Sequence, residues 1–380
     1  MANRVYGDRE MGLLGEVISS GNLGALGGQF TPRFEEEFAK MMGTKYAVAM
    51  NCAMSVLHAS VISADAGAGA EVICDPVFVF GALAALYNNA IPTFADIEPD
   101  SLNMDPDKLE AAITERTRAV IVTHAWGLPA QMDRIVEIAH RHNLIVIEDC
   151  AHAILAAYKG RYTGSWGDIG SFSFQASKQM SLGDAGMATT DDEELSKKLD
   201  LNAGAPTFLS VAHGMHYNYR INELTAAVGI AQLERLHELI GGLQTNARYY
   251  DEAVAGCEWL KLQSAPDAVS TYHFWVANFR GEEQGLSLDE FSKALKDSGA
   301  GLSLGYTGVP SYQQPVIKDR LAHAFHCGHY KQKIEYPDGL CPIAEKAIPR
   351  MLLAYTLQPE DQAKSSAEKL HKLIAELEGS

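Results

Sequence analysis

Lys178 and Asp149, 29 positions apart, are the residues whose types and settings suit covalent chemistry. Lys178 stands in "SFSFQASKQMSLGDAG" (171–186), between small polar residues and a glycine-bearing turn, with no carboxylate beside it. Glycine lets a ligand approach the backbone closely. Most lysines are simply solvated, but a desolvated lysine amine is a nucleophile toward an aldehyde. Asp149 follows the apolar run of "VIEDCAHA" (146–153), which puts its carboxylate at a strand's end. Alone it reads either as a loop or cap acid or as a buried carboxylate needing a cationic partner. Together the two suit pyridoxal phosphate: the lysine joins the aldehyde, and the aspartate lies under the ring nitrogen.

Such a pair needs a frame. Short β-rich runs recur at "KYAVAMN" (45–51), "EVICDP" (71–76), "IPTFADI" (91–97), "RAVIVTHA" (118–125), "LIVIEDCA" (144–151), "IGSFSF" (169–174) and "GMATT" (186–190). Several are continuously apolar, as strands covered on both faces are. Helical patterns lie between them, such as "PAQMDRIVEIAHRHN" (129–143), with Ile135, Ile138 and Ala139 on one face. This alternation predicts an α/β fold with a mostly parallel seven-stranded sheet and right-handed crossovers. Ligands in such sheets bind beyond the carboxyl ends of the strands, at or near Asn51, Pro76, His124, Asp149 and Phe174. After about residue 245 the texture changes. The reading divides the chain into an N-terminal segment (1–30), a large domain (31–245) and a smaller α+β domain (246–380).

Composition bounds the function. The 380 residues are 47% hydrophobic, enough for a sizeable core. A formal charge of −17 argues against nucleic acid or an anionic membrane as partner. The six cysteines are scattered without a CxxC pair and read as reduced thiols. The start has no signal-peptide core, and no apolar run approaches the roughly 20 residues that span a bilayer. A cytoplasmic location is expected. The cluster "HAFHCGHY" (323–330) fits no zinc spacing, so no metal is expected.

The order "NCAMSVLH", "DPVFVF", "THAWGLPAQMD", "VIEDCAHA", "GDIGSFSFQASKQMSLGDAG", "YNYRINELTAAVGIAQL" and "LCPIAE" resembles the DegT/DnrJ/EryC1/StrS family of sugar and cyclitol aminotransferases, over nearly the whole chain. The resemblance implies the type I fold of pyridoxal-phosphate-dependent transferases. It also implies that Lys178 carries the cofactor as an aldimine and shuttles a proton, while Asp149 keeps the pyridine nitrogen protonated. Phe80 matches the aromatic position that stacks on the ring, against the plain reading of a core aromatic. His152 matches a position near the phenolic oxygen, with a core histidine as the rival. Ser173 and the helix start at Ala53, Met54 and Ser55 would hold the phosphate, whose charge suits a helix N-terminus. Asn218 matches a residue that reaches the phosphate of the neighbouring subunit, implying a homodimer with shared active sites. Two departures stand out: Ala53-Met54 replaces the usual Gly-Thr or Gly-Ser pair, and "GDAG" replaces "GEGG". Either Ser55 substitutes for the hydroxyl lost at 54, or the phosphate is held more weakly.

The implied reaction is a ping-pong transfer from glutamate or glutamine to a ring ketone of a sugar or cyclitol. Arg220 would take the donor carboxylate, or form a structural ion pair. Tyr219 and His124 are further substrate-side candidates, His124 with packing as its rival. Lysine at 178 favours transamination, since dehydrating relatives carry histidine there. The wording "SFQASKQM" looks more like the cyclitol and aminobenzoate branch. The alternatives carried are an aromatising aminodehydratase of the 3-amino-5-hydroxybenzoate synthase type and a non-catalytic cofactor-binding regulator.

Overall fold

The computed structural model describes residues 6–204, 216–331 and 334–379. Helices α1 (Asp8–Ser20) and α2 (Phe30–Met42) end at Gly21 and Gly43, both left-handed. A left-handed glycine satisfies a helix's last carbonyls without steric cost, so both helices stop there. Strand β1 (Tyr46–Met50) leads into α3 (Ala53–Ser63). Alternation continues through β2 (Glu71–Cys74), α4 (Val79–Tyr87), β3 (Ile91–Phe94), α5 (Pro106–Ala112), β4 (Thr117–Thr123), α6 (Met132–Arg141) and β5 (Ile145–Asp149). A small hairpin, β6 (Ala157–Tyr158) and β7 (Arg161–Tyr162), precedes β8 (Ile169–Ser173) and β9 (Gly186–Thr190). Helices α7 (Glu193–Ala203), α8 (Glu223–Glu234) and α9 (Leu236–Ala253) follow.

The seven runs read as strands form one sheet, ordered β1-β9-β8-β5-β4-β2-β3. Only β9 runs against the rest, antiparallel to both β1 and β8, while the β8–β5, β5–β4, β4–β2 and β2–β3 pairs are parallel. Both faces are covered. Val72, Cys74, Ile121 and Ile147 join a core with Leu57 and Val61 of α3. Ile73, Val120, Val122 and Val146 join another with Leu109 of α5 and Ile135, Ile138 and Ala139 of α6. The outer edge of β1 is capped by a helix rather than left open. There Glu35 of α2 accepts the Ala49 N–H at 2.8 Å.

The second half adds β10 (Leu260–Leu262), β11 (Ala268–Val269), β12 (Phe274–Phe279), α10 (Leu288–Ser298), β13 (Ser303–Leu304), α11 (Pro315–Lys318), α12 (Pro342–Ala347), β14 (Met351–Tyr355) and α13 (Glu360–Glu378). Strands β10-β12-β14-β13 make an antiparallel sheet around Trp259, Trp275, Phe279 and Phe291. Helix α9 serves both cores. Leu236, Ile240 and Leu243 pack with the first half, Ala247 and Tyr250 with the second. Strand β11 pairs with β6, so this stretch of the second half lies on the first. No helix among the described residues is long and apolar enough to cross a membrane.

Candidate active site

The carboxyl ends of β4, β5 and β8 meet the amino end of α3 around a cavity of about 290 Å³. Asp149 is the last residue of β5, only 3% exposed, and accepts the Ala151 N–H at 3.0 Å. Burial pushes its carboxyl up, while the Ala151 N–H and Lys178 oppose that push. Lys178 lines the same cavity from the β8–β9 loop. The small polar residues around it build its turn: Gln175 Oε1 accepts both the N–H and the hydroxyl of Ser177 at 2.7 Å. The Lys178 N–H then donates to the Gln175 carbonyl at 2.9 Å. Burial lowers the lysine amine to about 8, with the Asp149 charge acting the other way. An amine so poised is roughly one-tenth neutral at pH 7, far more than an ordinary lysine, and the neutral form is the one that attacks an aldehyde.

Ala53 and Met54 line the cavity at the first turn of α3, where N–H groups lack helical acceptors. Strand β9 starts hard against this turn. A Cβ at Gly186 would lie 2.6 Å from the Cys52 carbonyl carbon and 2.7 Å from the Ala53 nitrogen. Ser173, at the end of β8, lines the cavity as expected. Ser55 does not: its hydroxyl is buried and donates to Asn51 Oδ1 at 2.7 Å. The hydroxyl missing at 54 is therefore not replaced by Ser55, because the helix turn that presents residues 53 and 54 directs the Ser55 side chain back to Asn51.

His152 is 7% exposed, and its Nδ1 is buried without a hydrogen-bond partner. Burial first, then Lys178 and His273, hold this imidazole well below its ordinary range, so it is neutral. A buried ring nitrogen without a partner is costly unless a ligand supplies one. Phe80 lines the rim and is 44% exposed, whereas Phe78, passed over in the sequence, lines the cavity from deeper. Phe78 is wedged against Trp126 and Tyr306, ring centroids 5.2 Å away in each case.

His124 is a correction. It is wholly buried, with Nε2 2.9 Å from Glu148 Oε2 and Nδ1 accepting the Ala130 N–H at 3.1 Å. Since Nδ1 accepts, Nε2 carries the proton and donates to Glu148. The same Glu148 accepts the N–H groups of Gly164, Trp166 and Gly167. His124 thus braces the sheet and does not line the substrate cavity. Adjacent strand residues face opposite ways, and it is Thr123 that lines the cavity, its hydroxyl donating to Asp75 Oδ2 at 2.6 Å. Burial, with Asp149 adding, pushes the Asp75 carboxyl up to about 6. Tyr306, also missed, has its phenol pushed up to about 12 by burial and by Asp75 and Asp149.

The stretch 218–220 stays outside the cavity of its own chain. Asn218 is exposed; the Tyr219 hydroxyl bonds His58 Nδ1 at 2.8 Å. Arg220 donates to the Gly204 carbonyl at 2.6 Å and borders a separate small cavity with Glu35 and Asp200. Among the described lining residues, Lys178 is the one cation, set against Asp149 and Asp184. The pieces that cradle pyridoxal phosphate are nonetheless present: an amine of lowered pKa, a buried carboxylate, a helix amino end and an unpartnered ring nitrogen.

A doubly covered α/β sheet with these groups at its carboxyl edge defines a pyridoxal-phosphate-dependent transferase of fold type I. Residues 6–352 match the DegT/DnrJ/EryC1/StrS aminotransferase family, and the chain belongs to it. It is 35% identical over 301 residues to the GDP-perosamine synthase of Caulobacter vibrioides, covering 78% of this chain and 80% of that one. The spore coat polysaccharide biosynthesis protein SpsC of Bacillus subtilis is 33% identical over 360 residues, covering 88% and 90%. Among solved structures, S. venezuelae DesV in complex with a ketimine intermediate superposes with a TM-score of 0.84 at 28% identity, covering 96% and 94%.

Proposed function

We propose that this aminotransferase moves an amino group from glutamate or glutamine to the keto group of a sugar ring, in two half-reactions, with pyridoxal phosphate held at Lys178. The observation that carries the reading is the convergence of Lys178, Asp149 and the α3 amino end on one cavity. When bound, the cofactor supplies an aldehyde for amine exchange and a ring that accepts electrons from the donor's α-carbon. Asp149 holds a proton on the pyridine nitrogen, pairing its own buried charge. Lys178 Nζ attaches the cofactor and then carries the α-proton. Ala53, Met54 and Ser55 offer backbone N–H groups to the phosphate, and Ser173 its hydroxyl. His152 Nδ1 would offer the cofactor a hydrogen bond, and Phe78 and Phe80 would pack against it.

The phosphate and the donor carboxylate bring more negative charge than one lysine balances. This supports a homodimer in which Asn218 and Arg220 of the partner complete each site, both being exposed on their own chain. Sugar-linked names among the relatives support a sugar acceptor over a cyclitol or an aromatising reaction.

Borohydride reduction of the reconstituted protein is expected to fix the cofactor on Lys178, read as an adduct mass on that peptide. In a separate, unreduced sample, glutamate or glutamine should bleach the visible band, and keto-sugars, free or nucleotide-linked, should restore it. Lys178→Ala should lose both adduct and transfer. A colourless protein with no adduct at 178 rejects the reading.

A further inference from the structure

Behind His152, which lines the cavity, residues 271–273 of the second half are wedged into the first half. The Thr271 N–H donates to the Gly127 carbonyl at 3.0 Å. Gly127 has φ +104, and a Cβ there would lie 2.8 Å from the Tyr272 nitrogen and 3.0 Å from that of His273. Only glycine admits this approach. From the lysine loop, the Gln179 side chain bonds both the His152 carbonyl and the Thr271 hydroxyl. The Thr356 hydroxyl, just after β14, donates to the Tyr272 carbonyl, with the His273 carbonyl 3.3 Å away. The outcome is a stack: the imidazoles of His273 and His152 lie 4.3 Å apart at 27°. Phe78 closes on His152 edge-on, at 5.3 Å and 77°. Both histidines are buried.

We propose that His273 is a positioning residue, whose ring sets the plane of the His152 imidazole so that Nδ1 meets the cofactor at a productive angle. The inference rests on the function proposed above. Stacked rings resist tilting because their attraction depends on offset and angle. The hydrogen bond that His152 offers weakens steeply once its geometry is lost. The small domain therefore acts on the cofactor through His152 without touching it. The histidine at 273 is a platform.

Two variants of similar bulk separate ring from volume: His273→Leu removes the ring and His273→Phe keeps it. In cofactor-free protein, the His152 ring-proton resonances should shift in the leucine variant and stay near parental in the phenylalanine variant. In the holoenzyme, His273→Leu should move the absorption maximum and slow the glutamate half-reaction at saturation about tenfold, with the donor KM within about twofold. His273→Phe should recover the parental maximum and rate to within about twofold. Leucine and phenylalanine variants that agree in resonance, maximum and rate overturn the proposal. If the parent itself takes up no cofactor, the proposed function falls, while the resonance comparison still decides the stack.

Discussion

Lys178 is a poor cation. Its amine is lowered from the ordinary lysine range to about 8 by burial, against the pull of Asp149. The reactive form is neutral, so below that value each unit of pH should raise the rate of pyridoxal phosphate capture by the apoprotein about tenfold, flattening above it. Stopped-flow absorbance across pH 6 to 10 would show the break; a rate still climbing tenfold per unit past 9 contradicts the lowered amine. A second residue-scale prediction concerns the phosphate end. Met54 lines the cavity, and Ser55 spends its hydroxyl on Asn51. Met54→Ser adds one hydrogen bond to a charged oxygen, about 1.5 kcal/mol or roughly tenfold in affinity. Dialysis against cofactor-free buffer should leave that variant loaded longer than the parent.

At the scale of elements, the amino end of α2 is held by one carboxylate. Glu223, in the first turn of α8, accepts the N–H groups of Gln29, Phe30 and Thr31 and the Thr31 hydroxyl. These bonds keep its carboxyl below the usual range despite burial. The carboxylate fits because position 28 has no side chain: a Cβ there would lie 2.1 Å from Glu223 Cδ. Gly28 thus serves close packing against α8. Gly28→Ala must displace the carboxylate and strand several donors, so a loss of about 3 kcal/mol is expected. Urea unfolding checks it; a variant as stable as the parent would show that Glu223 moves freely.

For the molecule as a whole, the cavity of one chain is short of positive charge, and the chain's own Asn218 and Arg220 lie away from it. A dimer with shared sites predicts complementation. Lys178→Ala and Asn218→Ala homodimers should each be impaired, but mixed and re-associated chains form heterodimers with one intact site. Random pairing makes half the dimers mixed, so about a quarter of parental activity should return. Recovery no greater than the sum of the two variants alone would mean that each site is built from one chain.

Much of this was legible in the linear chain, and the missing parts share a cause. The seven strands were visible because apolar runs mark buried strands. Asp149 and Lys178 were visible because a carboxylate at a strand end and a lysine among small residues are local features. The choice between Thr123 and His124 was not legible, since a strand apolar on both faces has no alternation to reveal which side each residue takes. Phe78 against Phe80, and the commitment of Ser55 to Asn51, turn on how a helix's first turn seats against the sheet. His273 and Tyr306 come from segments more than a hundred residues downstream, and only the docking of the second half brings them to Asp149 and His152. Placement carried by a residue's type and nearest neighbours was legible in the sequence. Facing and long-range juxtaposition belonged to the tertiary structure, because packing of both halves, not local preference, selects among orientations of similar intrinsic energy.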